Sequence, residues 1–151
     1  MSNLEIARGI LELVRSFGVE ECCVCAGSRN SPLIVAFAAS DLRLYSFFDE
    51  RSAAFFALGR ARLRMRPVAM ITTSGTAVAE MLPAAVEAYY SGVPLVLISA
   101  DRPIRDRGTG APQSIEQEGI FGPYASRDAA AWDRTAPLHI NVPFDEPLLD
   151  E

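Results

Sequence analysis

Apolar positions along this chain fall into two kinds of run, and the two kinds alternate. Leu4, Ala7, Ile10 or Leu11, Val14 and Phe17 recur at helical spacing, from a capping box of Ser2 and Glu5 to a stop at Gly18. Residues 19–26 form a run of strand length, apolar but for Glu20 and Glu21, which leads straight into Gly27-Ser28-Arg29-Asn30-Ser31 before Pro32 opens a second helix. Residues 42–48, aromatic and apolar, have the length of a buried strand, and residues 52–63 carry small and apolar residues at helical length. Asp49, Glu50 and Arg51 sit at the switch between them. A third strand over 68–72 ends in Thr73-Ser74-Gly75-Thr76, and a helix follows from Ala77 to Tyr90, where Ser91-Gly92 ends it. Pro83 is expected to kink that helix or to mark a tighter first half. A fourth strand over 95–99 runs into Asp101-Arg102-Pro103, a long polar stretch follows, and residues 138–142 make a last short strand.

Strands and helices that alternate through short turns imply βαβ units with right-handed crossovers. The fold class is therefore α/β, an open, mostly parallel sheet with helices on both faces. Parallel strands share one exit edge, so Ser28 with Arg29, Asp49 with Glu50, Thr73 to Gly75, and Asp101 with Arg102 should line a single crevice.

Composition narrows this picture. With 151 residues, half of them hydrophobic, the chain is the size of one domain with a core of its own. A net charge of −5 excludes a dominant basic face, which makes nucleic acid a poor partner and leaves room for a small anionic ligand. Cys22, Cys23 and Cys25 crowd one apolar run and suit neither a disulfide framework nor a spaced metal site. No leader pattern or membrane-length apolar run occurs, and a cytoplasmic, soluble protein is expected. The segments SAAFFALGRA and TAVAEMLPAAVEAYY are small or apolar on nearly every face, which calls for a partner subunit or another domain over the side the sheet leaves bare.

Each exit residue has two readings at this point. Glu50 is either a shielded proton relay, since burial raises a carboxyl pKa, or a helix N-terminal carboxylate beside Arg51. Ser28 and Arg29 hold an anion, or form a plain cap with a surface arginine. Thr73-Ser74-Gly75 offers close backbone approach without being a phosphate loop, or is a simple helix cap. Arg102, Arg105 and Arg107 clamp carboxylates or are solvated, and His139, the only histidine, reads as a core residue.

Five blocks in order, AGSRNSPL, FFDERSAAFFALGRA, RPVAMITTSGTAVAEMLPAAVEAYYSGVPLVLISADRP, RGTGAPQSIEQEGIFG and HINVPFDEPL, carry a resemblance over about residues 18–148. Together they resemble the N-terminal domain of the 2-succinyl-5-enolpyruvyl-6-hydroxy-3-cyclohexene-1-carboxylate synthases, thiamin-diphosphate enzymes of menaquinone biosynthesis. TSGTA stands where the acetolactate synthase relatives more often show glycine-proline-glycine. The resemblance implies a thiamin-diphosphate-binding fold, with residues 1–151 as its pyrimidine-binding domain. It implies an activity that decarboxylates 2-oxoglutarate and adds the succinyl carbanion equivalent to isochorismate. By that likeness Glu50 is the catalytic glutamate that meets N1′ of the aminopyrimidine, and Thr73, Ser74 and Gly75 line the same cofactor. Ser28, Arg29, Arg102 and Gln113 match substrate-binding positions. Pro112 stands where the family more commonly has asparagine.

The family's diphosphate-binding domain, with a GDG-type motif and an asparagine that holds Mg²⁺, has no counterpart in this sequence. The chain is therefore expected to be a fragment, inactive alone, whose thiamin diphosphate and Mg²⁺ both require that second domain and whose partner is a second copy in a homodimer or homotetramer. Residues 122–132 are shorter than the loop and helix the family places before HINVPF. The alternatives are a non-catalytic ligand-binding module and a thiamin-dependent lyase for another 2-oxo acid.

Overall fold

The computed structural model describes residues 1–149 and is built around one five-stranded, all-parallel sheet. In chain order the elements are α1 (Asn3–Ser16), β1 (Glu21–Cys25), α2 (Ser31–Ala38), β2 (Arg43–Phe47), α3 (Glu50–Arg64), β3 (Val68–Thr72), α4 (Thr76–Ala79), α5 (Leu82–Ser91), β4 (Leu95–Asp101) and β5 (Leu138–Pro143). The strands lie in the order β2-β1-β3-β4-β5, so the direction of winding reverses between β1 and β3. That reversal splits the crossovers between the two faces. The helices α1 and α2 pack on one face through Ala7, Leu11, Val14, Leu33 and Phe37, and α3 and α5 pack on the other through Ala53, Ala57, Ala61, Ala84 and Ala88. Buried on both sides, β1, β3 and β4 are apolar at nearly every position.

Local chemistry sets the element ends. The Ser2 hydroxyl accepts from the Glu5 N–H while the Glu5 carboxylate accepts from the Ser2 N–H at 2.7 Å, the reciprocal cap expected from the sequence. Asp49 caps α3 by accepting from the Ser52 N–H at 2.7 Å, which fixes Glu50 as the first helical residue. At the opposite end of the sheet a bidentate pair, Arg60 on Glu21 at 2.7 and 2.8 Å, ties α3 to β1. Hydrogen bonds to Arg60 hold the Glu21 carboxyl below its usual range despite its burial.

Three elements differ from the sequence expectation. Residues 42–48 do not make a buried strand: β2 is an edge strand, half-exposed along its length, and Phe48 beyond it is fully exposed. The helix expected from Ala77 to Tyr90 is two helices, α4 and α5, broken at Glu80 and Met81. Pro83 falls in the first turn of α5, where no N–H is needed, so it starts a helix instead of bending one. The short stretch after Phe121 is a 3₁₀ turn over Gly122–Tyr124 and a single parallel bridge, Ser126 with Leu138. Ser126 exchanges bonds of 2.8 Å with Pro137 and His139. The eleven residues between Ser126 and Leu138 cannot hold a crossover helix, so pairing stops after one bridge. Trp132 fastens this excursion to Phe17, with ring centroids 5.1 Å apart.

Candidate active site

All five strands point the same way, and their C-terminal ends bring the sequence-predicted residues to one edge. At the reversal between β1 and β3, Gly27 and Thr73 approach so closely that a Cβ on Gly27 would lie 2.6 Å from the Thr73 Cβ. Only a glycine fits there. Next to this contact Glu50 is half-buried, and the Thr72 hydroxyl donates to its carboxylate at 3.4 Å. Among the described residues no other hydrogen bond or ion pair to the Glu50 carboxylate is present. Glu50 also stands near the end of β1: burial, and then the Glu50 and Asp49 charges, push the Cys25 thiol up to about 12, so it stays neutral.

Gly75 has φ 85° and ψ −143°, a conformation for glycine alone, and a Cβ there would meet Gln113 at 3.0 Å. Gln113, exposed and itself at φ 55°, thus rests on the β3 exit. Ser74 is buried and Thr73 is half-buried. Arg102 is half-buried; its Nε donates to the Pro112 carbonyl at 2.8 Å and its backbone N–H to Asp101 at 2.7 Å.

Ser28 and Arg29 part company. Ser28 is exposed, whereas Arg29 is only 7% exposed and turns toward β5, donating to the Phe144 carbonyl at 3.0 Å and pairing with Glu146 at 3.0 Å. Among the described residues its Nε is buried without a partner. Arg105 pairs with Asp145, just beyond the end of β5 and beside the residues that hold Arg29.

A buried network beneath β4 and β5 was not visible in the sequence. Asn141 donates to Asp101 at 2.7 Å and accepts from Ser99 at 2.7 Å and from Gln117 at 2.9 Å. Since the Ser99 hydroxyl proton goes to Asn141, the 2.8 Å contact with His139 Nε2 assigns that nitrogen the proton. Burial, then the nearby Arg127 charge, lowers the His139 pKa to about 4, and the ring is neutral, edge-on to Phe121. Asp101, 1% exposed, also takes Arg107 at 3.3 Å, and Arg107 reaches Glu118 at 2.9 Å. The signal for Gln117 was slight: a polar residue in a polar loop, with no periodicity to show that it turns inward.

Among the cavities of the described residues, one of about 680 Å³ lies at the strand N-terminal end and one of about 560 Å³ is lined in part by His139, Asn141 and Glu118 of this network. Among the described residues no cluster of three or more His, Cys, Asp or Glu side chains is placed to hold a metal ion, and no helix is long and apolar enough to cross a membrane.

The five-strand order and the helices on both faces have a solved counterpart. The chain superposes on Rhodococcus jostii RHA1 thiamine diphosphate-dependent 4-hydroxybenzoylformate decarboxylase with a TM-score of 0.78 at 18% identity, over 95% of this chain and 30% of that one, a likeness of fold. By sequence the chain belongs to the thiamine pyrophosphate enzyme family, N-terminal TPP binding domain, whose model matches residues 4–120. It is 49% identical to the 2-succinyl-5-enolpyruvyl-6-hydroxy-3-cyclohexene-1-carboxylate synthase of Bdellovibrio bacteriovorus, over 99% of this chain and 31% of that protein. It is 52% identical to the synthase of the same name from Akkermansia muciniphila, over 86% and 27%, and 44% identical to that of Geobacillus kaustophilus, over 95% and 29%. The chain thus spans about a third of the length of these relatives and matches their N-terminal part. The Bdellovibrio alignment runs over 164 positions against 151 residues here, so that relative carries residues with no counterpart in this chain.

Proposed function

We propose that residues 1–151 are the pyrimidine-binding domain of a cytoplasmic 2-succinyl-5-enolpyruvyl-6-hydroxy-3-cyclohexene-1-carboxylate synthase of menaquinone biosynthesis. The reaction takes 2-oxoglutarate, releases CO₂, and joins the remaining four-carbon unit to isochorismate. The observation that carries this reading is Glu50: a half-buried carboxylate with a single weak partner, held by the Asp49 cap at a strand exit beside the sheet's reversal point. Such a group has acceptor capacity left for a ligand N–H. Thiamin diphosphate fits it, because the aminopyrimidine presents a ring nitrogen that takes a proton and needs a carboxylate beside it. When bound, that cofactor supplies an acidic carbon able to attack a 2-oxo group and an electron sink for the pair that CO₂ leaves behind.

The residues of this chain divide the remaining work. Glu50 holds the proton at the pyrimidine nitrogen, while Thr73, Ser74 and Gly75 present backbone and small side chains to the ring. Arg102, Arg29, Ser28 and Gln113 bind the acidic substrates, with the Arg29 guanidinium shared with the Phe144 carbonyl and Glu146. The diphosphate and Mg²⁺ are held by a second domain. The exposed aromatic face of α3 and α5, with Phe55, Phe56, Tyr89 and Tyr90, receives a second copy of the protein.

The full-length protein, given thiamin diphosphate, Mg²⁺, 2-oxoglutarate and isochorismate, is expected to release CO₂ and form the joined product. Glu50→Gln is expected to lower turnover about 100-fold or more. Unchanged turnover in that variant defeats the assignment. Ligand binding with no turnover in the parent would favour a binding module, and turnover of a different 2-oxo acid would favour a lyase.

A further inference from the structure

Gln117 is 1% exposed, yet its amide meets three strand exits at once. Its Oε1 accepts from the Gly75 N–H at 2.8 Å, and its Nε2 donates to the Ala100 carbonyl at 3.0 Å and to Asn141 at 2.9 Å. We propose that Gln117 is a positioning residue, which through its carbonyl oxygen holds the Gly75 N–H and so sets the peptide plane between Ser74 and Gly75 at the cofactor edge. This rests on the reading of Thr73 to Gly75 as cofactor-facing.

The geometry makes the amide more than filler. Gly75 sits at φ 85° and ψ −143°, immediately before the four-residue α4, so no long helix imposes its orientation. In a trans peptide the N–H and the preceding C=O point in opposite directions, so capture of the Gly75 N–H by Gln117 turns the Ser74 carbonyl away from the network. A leucine would fill comparable space but leave the Gly75 N–H, the Ala100 carbonyl and one Asn141 contact unmet. The segment that carries Gln117 is itself pinned. Arg107 joins Asp101 to Glu118, Arg102 holds the Pro112 carbonyl, and Gln113 abuts Gly75. Gly75 on the cofactor side and Gln113 with Arg102 on the substrate side therefore belong to one rigid body, with the Gln117 amide as the pin between them.

Two variants of the full-length protein separate positioning from plain stability. Gln117→Glu keeps an acceptor for the Gly75 N–H and loses both donations, whereas Gln117→Met keeps the length and loses all three bonds. We expect thiamin diphosphate affinity, measured by calorimetric titration, to fall about 10- to 100-fold in Gln117→Met and by less than about 5-fold in Gln117→Glu, with similar losses of Tm. Hydrogen exchange of the peptide containing Gly75 should accelerate in the methionine variant alone. If Gln117→Met does not fold, Gln117→Asn, an amide withdrawn by one methylene, is expected to behave as methionine would. Affinity that follows Tm equally in all variants, or that is unchanged by methionine or asparagine, overturns the role. If Glu50→Gln leaves turnover intact, the cofactor reading itself fails whatever the Gln117 variants do; if it abolishes turnover while Gln117→Met binds normally, only this inference fails.

Discussion

The exit edge of the sheet has two halves built on opposite principles. At the ends of β1 and β2 polar groups have capacity to spare: Glu50 has one contact at 3.4 Å, and Ser28 is exposed. At the ends of β4 and β5 most donors meet an acceptor, in a chain from His139 through Ser99, Asn141 and Asp101 to Arg107, with Gln117 joining from the side and only the buried Nε atoms of Arg107 and Arg29 left over among the described residues. A saturated buried network rigidifies and specifies, whereas unspent hydrogen-bonding capacity at a crevice is what a ligand can use. The contrast accords with the proposal that Glu50 in the sparse half meets the cofactor while the crowded half holds the frame in place. A substitution should therefore cost stability in one half and activity in the other.

Four measurements break or sharpen that division. Asn141→Leu strips a donor from Asp101 and an acceptor from Ser99 and Gln117, all buried, and chemical denaturation should show a loss of about 3–4 kcal/mol. A loss below about 1 kcal/mol would mean the crowded half is not the scaffold. Acid comes next. His139 has its folded pKa depressed to about 4, against about 6.5 when unfolded, so the unfolded state binds more protons between those values and stability falls as pH drops through that window. The full effect is roughly 3 kcal/mol, and His139→Gln should flatten that part of the stability–pH curve. The groups around the ring are Ser99, Phe121, Arg127 and Glu118, so a slope that survives the substitution would point to the carboxylates instead. Third, Gly27→Ala forces a Cβ to within 2.6 Å of Thr73 and should cost about 1–3 kcal/mol, the one large stability effect expected in the sparse half. Smallest of all, Glu50→Gln should move the unfolding free energy by no more than about 0.5 kcal/mol while turnover collapses; a large destabilisation would show the carboxylate to be structural.

Much of this organisation could be read from the residues, because apolar periodicity and turn chemistry are local. The Ser2–Glu5 cap, the parallel strands, and the shared edge that carries Glu50, Thr73 to Gly75 and Arg102 all appear where the pattern puts them. The family was legible as well, because five blocks in fixed order say more than any one motif. Sequence reasoning failed where tertiary context decides. Apolar residues 42–48 look buried until the strand order places β2 at the edge. Pro83 looks like an interrupter until its neighbours show it to be a starter. Arg29 reads as an anion hook or a surface arginine, and its burial against Phe144 and Glu146, 115 residues away and more, has no local signal. Gln117 gave no signal because a glutamine's burial depends on three groups far apart in sequence.

The lone bridge between Ser126 and Leu138 has a bearing on solubility. An outermost strand with free amides is a template onto which a neighbouring molecule can zip. Here the chain loops back once, takes the His139 N–H for itself, and then diverges into the Asp128 turn, whose carboxylate accepts from Ala130 and Ala131. One borrowed residue and one negative charge thus act as a stopper at the margin of the sheet, where a run-on aggregate would otherwise begin.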